Sequence, residues 1–252
     1  MFNKLYYAWR VVATTVSMVL FGVGGLCVTA FAFPAIALAT RDRDERHRRA
    51  QHLIHGLFRV YILMLEALFL IKVSTKDKHK LNSCKGCLII ANHPSLLDVV
   101  VLMSLMPRAQ CLVKSALWDN RFLGGAVRSA GYIRNDVSSE QLFEECSRQL
   151  KAGENIILFP EGTRTQPGTA IKFKRGAANI ALASGADIQL VFITVTPSTL
   201  TKGQPWYHVA RSRVKIDVES GERLDISTYL LHDTRSISAR NLTRRLEQPY
   251  VK

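Results

Sequence analysis

From Val11 to Ala39 the chain carries no charged residue, and no other stretch limits its folding as strongly. Val, Ala, Leu, Phe and Gly dominate the run, so a helix built from it has no polar face to turn toward water. That excludes the buried helix of a soluble protein and predicts a membrane-embedded helical segment over residues 1–40, long enough to cross a bilayer. The run is too long for a signal-peptide core, and no clear small-residue cleavage site precedes the basic segment that follows. Pro34 and the Gly22, Gly24, Gly25 cluster leave a kinked or re-entrant path open beside a straight span. Five arginines lie in Arg41 to Arg49, against Lys4 and Arg10 on the other side. The positive-inside rule then puts the carboxy-terminal side in the cytoplasm.

Residues 41–75 read as a second unit. Leu53 to Val73 is apolar but interrupted by His55, Arg59, Glu66 and Lys72, which points to an amphipathic helix at a membrane interface rather than a second span. Lys76, Lys78, Lys80 and Lys85 form a basic linker with a boundary near Ser74. Residues 76–252 remain for one domain with a single core.

In that domain, polar chemistry gathers at two strand ends. Cys87 to Ala91 is a short apolar run that reads as a buried strand. Pro94 stops the ladder, and Ser95-Leu-Leu-Asp98 leads into the apolar run Val99 to Met103, the first turns of a helix. His93 therefore stands at the carboxyl end of a strand, where open α/β sheets place their ligands. Asp98, five residues on, is placed to accept a hydrogen bond from the imidazole, which fixes its tautomer and raises the basicity of the other nitrogen. This is a hydrolase triad without its serine; a substrate hydroxyl can supply the nucleophile. A His-x4-Asp spacing alone also occurs in ordinary loops. The second segment, Ile156-Ile-Leu-Phe-Pro-Glu-Gly-Thr-Arg-Thr165, repeats the plan. In it, Glu161 and Arg164 can line one pocket, Arg164 offers a planar fork for phosphate, and amides near Gly162 can serve an oxyanion.

The remaining segments are scaffold. Ser138 to Ala152 reads as a helix capped by Ser138 and stopped at Gly153. Gln110–Lys114, Gly131–Arg134, Asn155–Phe159, Leu190–Thr196 and Arg213–Glu219 read as strands, Phe173 opens a helix ending at Gly185, and Thr234 to Leu246 is a basic amphipathic helix. Strands alternating with helices give an α/β domain, its sheet mixed because several connections are short and flanked by helices.

Two blocks, Asn92-His93-Pro94-Ser95-Leu96-Leu97-Asp98 and Phe159-Pro160-Glu161-Gly162-Thr163-Arg164, resemble those of the glycerolipid acyltransferase family, whose bacterial members acylate lysophosphatidic acid. The likeness runs from about Leu88 to Pro197. It implies that residues 76–252 are an acyltransferase catalytic domain with His93 and Asp98 catalytic. Glu161, Gly162, Thr163 and Arg164 are then the acceptor-binding block. Lys114, Arg134 and Lys174 match family positions linked to the acceptor phosphate, although Ala116 replaces the family's usual acid. The implied reaction moves a fatty acyl group from an acyl thioester, on acyl carrier protein or coenzyme A, to the free hydroxyl of 1-acylglycerol-3-phosphate. The alternative is the same transfer to a non-phosphatidic acceptor, an amino-acid-derived or specialised aryl or polyene lipid. A membrane-bound lipid carrier without turnover is a third reading, against which the intact motif residues count. The implied location is the bacterial inner membrane, facing the cytoplasm.

Composition fits. The net charge of +14 suits an anionic membrane or an acidic carrier. Helix-turn-helix, RNP and zinc-finger patterns are absent from the sequence, so nucleic acid is not an expected partner. Five scattered cysteines argue for a reducing compartment. Cys84-Lys-Gly-Cys87 admits a redox or half-zinc reading, but without a second pair at metal spacing the expected metal is none, and the thioester is a co-substrate rather than a cofactor.

Overall fold

Leu88, Ile89, Ile90 and Ala91 are all fully buried, as a continuous apolar run demands when both faces of its strand are covered. In the computed structural model, which describes residues 2–166, 168–205, 207–230 and 235–250, they form β2 (Leu88–Ala91) at the centre of a seven-stranded sheet. The other strands are β1 (Ile71–Lys76), β3 (Ala109–Val113), β4 (Ile133–Arg134), β5 (Asn155–Leu158), β6 (Ile188–Thr196) and β7 (Val214–Leu224). Their order is β1-β7-β6-β2-β5-β3-β4. The β6/β7 pair is antiparallel and every other pair is parallel, so the sheet is mixed, as expected.

The helices are α1 (Phe2–Cys27), α2 (Phe33–Ala39), α3 (Arg43–Ala67), α4 (Lys78–Asn82), α5 (Asp98–Leu105), α6 (Ser115–Trp118), α7 (Gly124–Ser129), α8 (Ser139–Lys151), α9 (Gly176–Ser184), α10 (Ser227–Leu230) and α11 (Arg235–Glu247). Side chains alternate along each strand and divide the core in two. Ile89, Ala91, Ile157 and Ile193 pack with α3 and α5; Leu88, Ile90, Ile156 and Leu190 pack with α8, α9 and α11. The Ser138 hydroxyl accepts from the Gln141 amide at 3.3 Å, the expected cap of α8. The Cys84–Cys87 pair is buried just before β2, at the edge opposite His93. There the Asn155 side chain holds the Cys87 amide and the Cys84 carbonyl, each at 3.0 Å.

Three expectations change. The interfacial helix over 53–73 is α3, which starts earlier and buries Ala50, Gln51, Ile54, Tyr61, Ile62 and Leu65 in the core. Asp42 caps it, accepting from the Glu45 amide at 2.7 Å. The division near Ser74 falls inside β1, which pairs with β7 from Ile71 onward; its last three residues are all exposed, so no alternation marks the strand. The basic tail, expected from Thr234, is α11 from Arg235, Thr234 lying outside the described residues. Its Ser238, Ala239, Leu242 and Leu246 are buried, so its apolar stripe is core.

Residues Lys4–Ala39 form a helical stretch long and apolar enough to cross a membrane, with little of it buried. It is not one regular helix. A π-helical turn, Val28–Ala32, joins α1 to α2, and the Phe33 amide bonds to the Val28 carbonyl. Pro34 lacks an N–H and crowds the preceding turn, and a wider turn relieves both. Near this end Gly125 of α7 lies against Thr29, so that a β-carbon on it would come 2.1 Å from the Thr29 methyl.

At the other end, Arg10 overturns its expected place as a cation beyond a membrane span. It is 2% exposed, and its guanidinium donates to the carbonyls of Ala210 (2.8 Å), Phe69 (3.0 Å) and Leu70 (3.2 Å). Hydrogen bonds from a charged donor contribute about 1.5–3 kcal/mol each, enough together to offset a desolvation cost of several kcal/mol. From Arg10 to Thr29 the helix rises about 28 Å at 1.5 Å per residue, and both ends touch the domain. Thus α1 lies along the domain, with Val12, Val16, Val19 and Val23 facing outward. Arg10→Ala is expected to free the helix: hydrogen exchange would show α1 and residues 207–210 losing protection together while β2 and β5 keep theirs.

Candidate active site

The site begins where the β2 ladder runs out. The Cys87 carbonyl accepts from the Ile156 amide of β5 at 3.1 Å, so the Ala91 carbonyl, four residues on, faces β5 as well. In register, its donor would be residue 160, and that residue is proline. With no N–H to give, Pro160 ends the pairing and the strands part. On the other side Asn92 extends it with its side chain, which takes both the amide and the carbonyl of Ile193 at 2.8 Å. The chain therefore leaves β2 pinned to β6 and open toward β5. Because these strands are parallel, His93 and the turn after β5 emerge at the same edge.

Into this opening projects the His93 ring. Its Nδ1 lies 2.9 Å from Asp98 Oδ2, and the same oxygen accepts from the Ser95 amide at 2.7 Å. A carboxylate oxygen already accepting an amide proton favours the tautomer with hydrogen on Nδ1, leaving the Nε2 lone pair free. The ring stacks on Phe159 with centroids 4.2 Å apart, and the side chain is 15% exposed while Asp98 is fully buried. Burial pushes the Asp98 carboxyl above the usual carboxylate range, against the opposing pull of its bonds from His93 and the Ser95 amide. Asp98 Oδ1 is buried without a partner among the described residues, so both terms place an ionised carboxylate at a cost. Ser95 is fully buried and stands behind the pair, not in the opening.

The turn after β5 is tied to the same loop. Glu161 Oε1 accepts from the His93 amide at 2.9 Å and from the Thr165 hydroxyl at 2.8 Å, while the Thr165 amide donates to the His93 carbonyl at 2.7 Å. The Gly162 amide donates to Phe159 within the turn and is spent. The amides of Thr163 and Arg164 have no acceptor among the described residues, so the open donors lie one and two positions beyond the glycine. Gly162 has φ +69°, a conformation that side chains rarely adopt, and a β-carbon there would also push the Lys174 ammonium, 2.9 Å away, off the turn. Lys174, exposed, is held over the turn by its own amide on the Pro160 carbonyl at 2.9 Å.

The cations divide. Arg164 Nη1 donates to the carbonyls of Leu200 (2.7 Å) and Thr201 (3.1 Å), leaving Nε and Nη2 without a partner among the described residues. Lys114 is exposed at the end of β3, and Arg134 ends β4. At about 4.8 Å between neighbouring strands, the β3 and β4 ends are about 10 and 14 Å from the β2 end. Arg134 makes a forked pair with Asp136 at 2.9 and 2.5 Å and lies over the Trp118 ring, so its charge is already answered. The topology thus brings His93, Asp98, Glu161, Gly162, Arg164 and Lys174 together, and places Lys114 and then Arg134 further along the edge.

A family model described as acyltransferase matches residues 72–198, just over half of the chain. The chain belongs to the acyltransferase family. Among curated relatives it is 35% identical over 100 residues to a 1-acyl-sn-glycerol-3-phosphate acyltransferase of Helicobacter pylori, covering 37% of this chain and 42% of that one. It is 29% identical over 121 residues to a chloroplastic enzyme of that name from Brassica napus, covering 46% and 35%. The chain thus spans between about a third and a half of the length of such relatives. The crystal structure of the LPA acyltransferase PlsC from Thermotoga maritima superposes with a TM-score of 0.68 at 18% identity, covering 99% of this chain and 98% of that one. At that identity the likeness is one of fold.

Sequence reading of the family member found both motif blocks but missed what ties them together. Asn92 and Thr165 lie inside the quoted stretches, with nothing in their pattern to mark a strand-extending amide or a turn-closing hydroxyl. Phe159 looks like any strand-end aromatic. Glu161, expected at the acceptor, uses one oxygen to splice two loops.

Two outcomes follow from this geometry. Asp98→Asn removes a buried charge and the tautomer control together; activity is expected to fall about 10³–10⁴-fold, with a thermal midpoint equal to or above wild type. Because Asp98 binds its proton more tightly folded than unfolded, its contribution to stability is present at low pH and lost as pH rises through its raised value; unfolding of the Asn variant should lack that decline. Glu161→Gln keeps an oxygen for both bonds and is expected to retain kcat within about threefold, while Glu161→Ala loses at least tenfold; a kcat loss in the Gln variant equal to that of Ala would mean the charge itself is used.

Proposed function

We propose that the chain is a membrane-bound O-acyltransferase that moves a fatty acyl group from an acyl thioester to the free hydroxyl of a lysophospholipid, 1-acylglycerol-3-phosphate above others, to give phosphatidic acid. The observation that carries this reading is the His93 Nδ1–Asp98 Oδ2 contact of 2.9 Å in a segment matched by the acyltransferase family. Free Nε2 takes the proton of the acceptor hydroxyl as its oxygen attacks the thioester carbonyl, and Asp98 stabilises the imidazolium. The Thr163 and Arg164 amides are the donors for the tetrahedral oxyanion. Collapse breaks the C–S bond, and the leaving thiolate takes the proton from Nε2. Lys174 and the open nitrogens of Arg164 meet the acceptor phosphate, with Lys114 next in line; Arg134 serves that role only by leaving Asp136. The donor is acyl-ACP or acyl-CoA, and the mechanism asks for no cofactor.

The outward apolar side of α1 and α2 supports seating in a single leaflet, since a helix tied to the domain at both ends does not carry it across a bilayer. With Arg41 to Arg49 beside that surface, the reading places residues 1–40 in the cytoplasmic leaflet of the bacterial inner membrane and 76–252 as the catalytic domain on it. Between α1, α3 and the segments around Leu200 and Val209 lies a small apolar cleft of about 50 Å³, lined by Met18, Tyr61, Leu65, Leu97 and Leu200 among others.

The test is acyl transfer by purified, detergent-solubilised protein to lysophosphatidic acid, with acyl-ACP and acyl-CoA side by side and His93→Ala beside the wild type. Turnover with at least one donor is expected, falling more than 10³-fold in the variant. A folded wild type that acylates only acceptors lacking phosphate would overturn the lysophosphatidic acid assignment, and an active His93→Ala would overturn the mechanism.

A further inference from the structure

The end of the chain returns to the catalytic edge from beneath. After α11 a 3₁₀ turn, Gln248–Tyr250, delivers Tyr250 into the layer of α9 and β6, where it is 8% exposed. Its ring packs on Phe173 and Phe192 with centroids 5.0 and 4.6 Å away. Its hydroxyl lies 2.9 Å from the Ile90 carbonyl and 3.0 Å from the Val191 carbonyl. Both belong to the seam where β2 pairs with β6, at Ile90↔Leu190 and Ala91↔Val191. Ile90 precedes His93 by three residues, and the next tie along β2 is the Asn92 amide. One turn earlier, Glu247 Oε2 accepts from the Phe173 amide at 2.7 Å, and Phe173 precedes Lys174.

We propose that the segment Glu247–Tyr250 is part of the active-site scaffold: Tyr250 is a positioning residue for His93, and Glu247 is one for Lys174. The inference rests on the functional reading above. Pro160 leaves the end of β2 without a ladder partner on its β5 side, where the Glu161 carboxylate and the Thr165 amide hold the His93 backbone instead, so the seam with β6 is the one ladder that still sets where β2 ends and His93 emerges. Tyr250 closes that seam with a single proton shared between two strand carbonyls. Burial raises the phenol above its ordinary range, and the charge of Glu161 acts in the same direction, so the hydroxyl stays a donor throughout the working pH range. Removing it takes away the bond that ties these two carbonyls to each other across the seam, leaving them their ladder amides alone, and lets the last residues of β2 shift. A reacting group displaced by a fraction of an ångström loses rate rather than affinity.

The experiment uses the full chain in detergent with Tyr250→Phe, which keeps the ring, and Glu247→Ala. For Tyr250→Phe, kcat should fall about tenfold with the acceptor KM within twofold of wild type and the thermal midpoint little changed. The low-field proton resonance of the His93–Asp98 hydrogen bond should shift or broaden. For Glu247→Ala, the KM for lysophosphatidic acid should rise about fivefold at nearly constant kcat, and Glu247→Gln, which keeps an acceptor for the Phe173 amide, should restore it. Wild-type kinetics together with an unchanged His93 resonance in Tyr250→Phe would overturn the proposal, as would losses that merely track unfolding. If the wild type transfers no acyl group, the functional reading fails instead, and the resonance alone still decides whether Tyr250 positions His93.

Discussion

Parallel pairing of β2 with both of its neighbours is the constraint from which the rest follows. It forces the carboxyl ends of β2, β5, β3 and β4 onto one edge, so residues far apart in sequence meet there in the order of the strands. It also sets the crossover layers: α5 leads from β2 to one side of the sheet and α9 from β5 to the other. The opening between two such departures is where an α/β sheet accepts a ligand. Pro160 deepens it by ending the ladder one bond before the chain turns.

A buried Asp98 is the costly component of this arrangement. Its carboxyl is fully enclosed and one oxygen lacks a partner among the described residues, yet it is held against His93 rather than replaced by an apolar side chain. Sites that do chemistry commonly keep such a group, because a charge that is costly to the fold is one that can stabilise charge formed beside it. The single oxygens of Glu161 and Asp98 do similar work in different ways. Each accepts two protons from neighbouring loops and so fixes a backbone path with one atom.

What was legible in the sequence has a physical reason. β2, β5 and β6 are apolar runs of strand length, and α8 carries a capping serine, so local rules reach them. The His93–Asp98 pair was legible because both members sit within one turn of chain. Contacts closed by one side chain on distant backbone were not. Arg10 reaches Phe69, Leu70 and Ala210, and Tyr250 reaches Ile90 and Val191, with no periodicity or spacing to announce them. Arg10 was read by its charge and counted as a cation beyond the apolar run; its burial is set by carbonyls that turn up only once α3 and β7 are folded. The short β1 was hidden similarly: its first residues read as the end of the preceding helix and Lys76 as the start of a basic linker until β7 is beside them.

The clamp at Arg10 bears on how this chain can be recombined. An anchoring helix that merely tethers is a module, exchangeable for another of equal length and hydropathy. Here α1 supplies the donors for three interior carbonyls and one wall of the cleft beside Leu97 and Leu200. A foreign helix of equal length and hydropathy grafted in its place would lack that wall. Shortening the protein to its sheet and flanking helices would likewise not yield a soluble miniature but a domain with an open apolar seam along Leu70, Ile71 and Val214. Helix and domain are therefore one structural unit, and changes in one are constrained by the other.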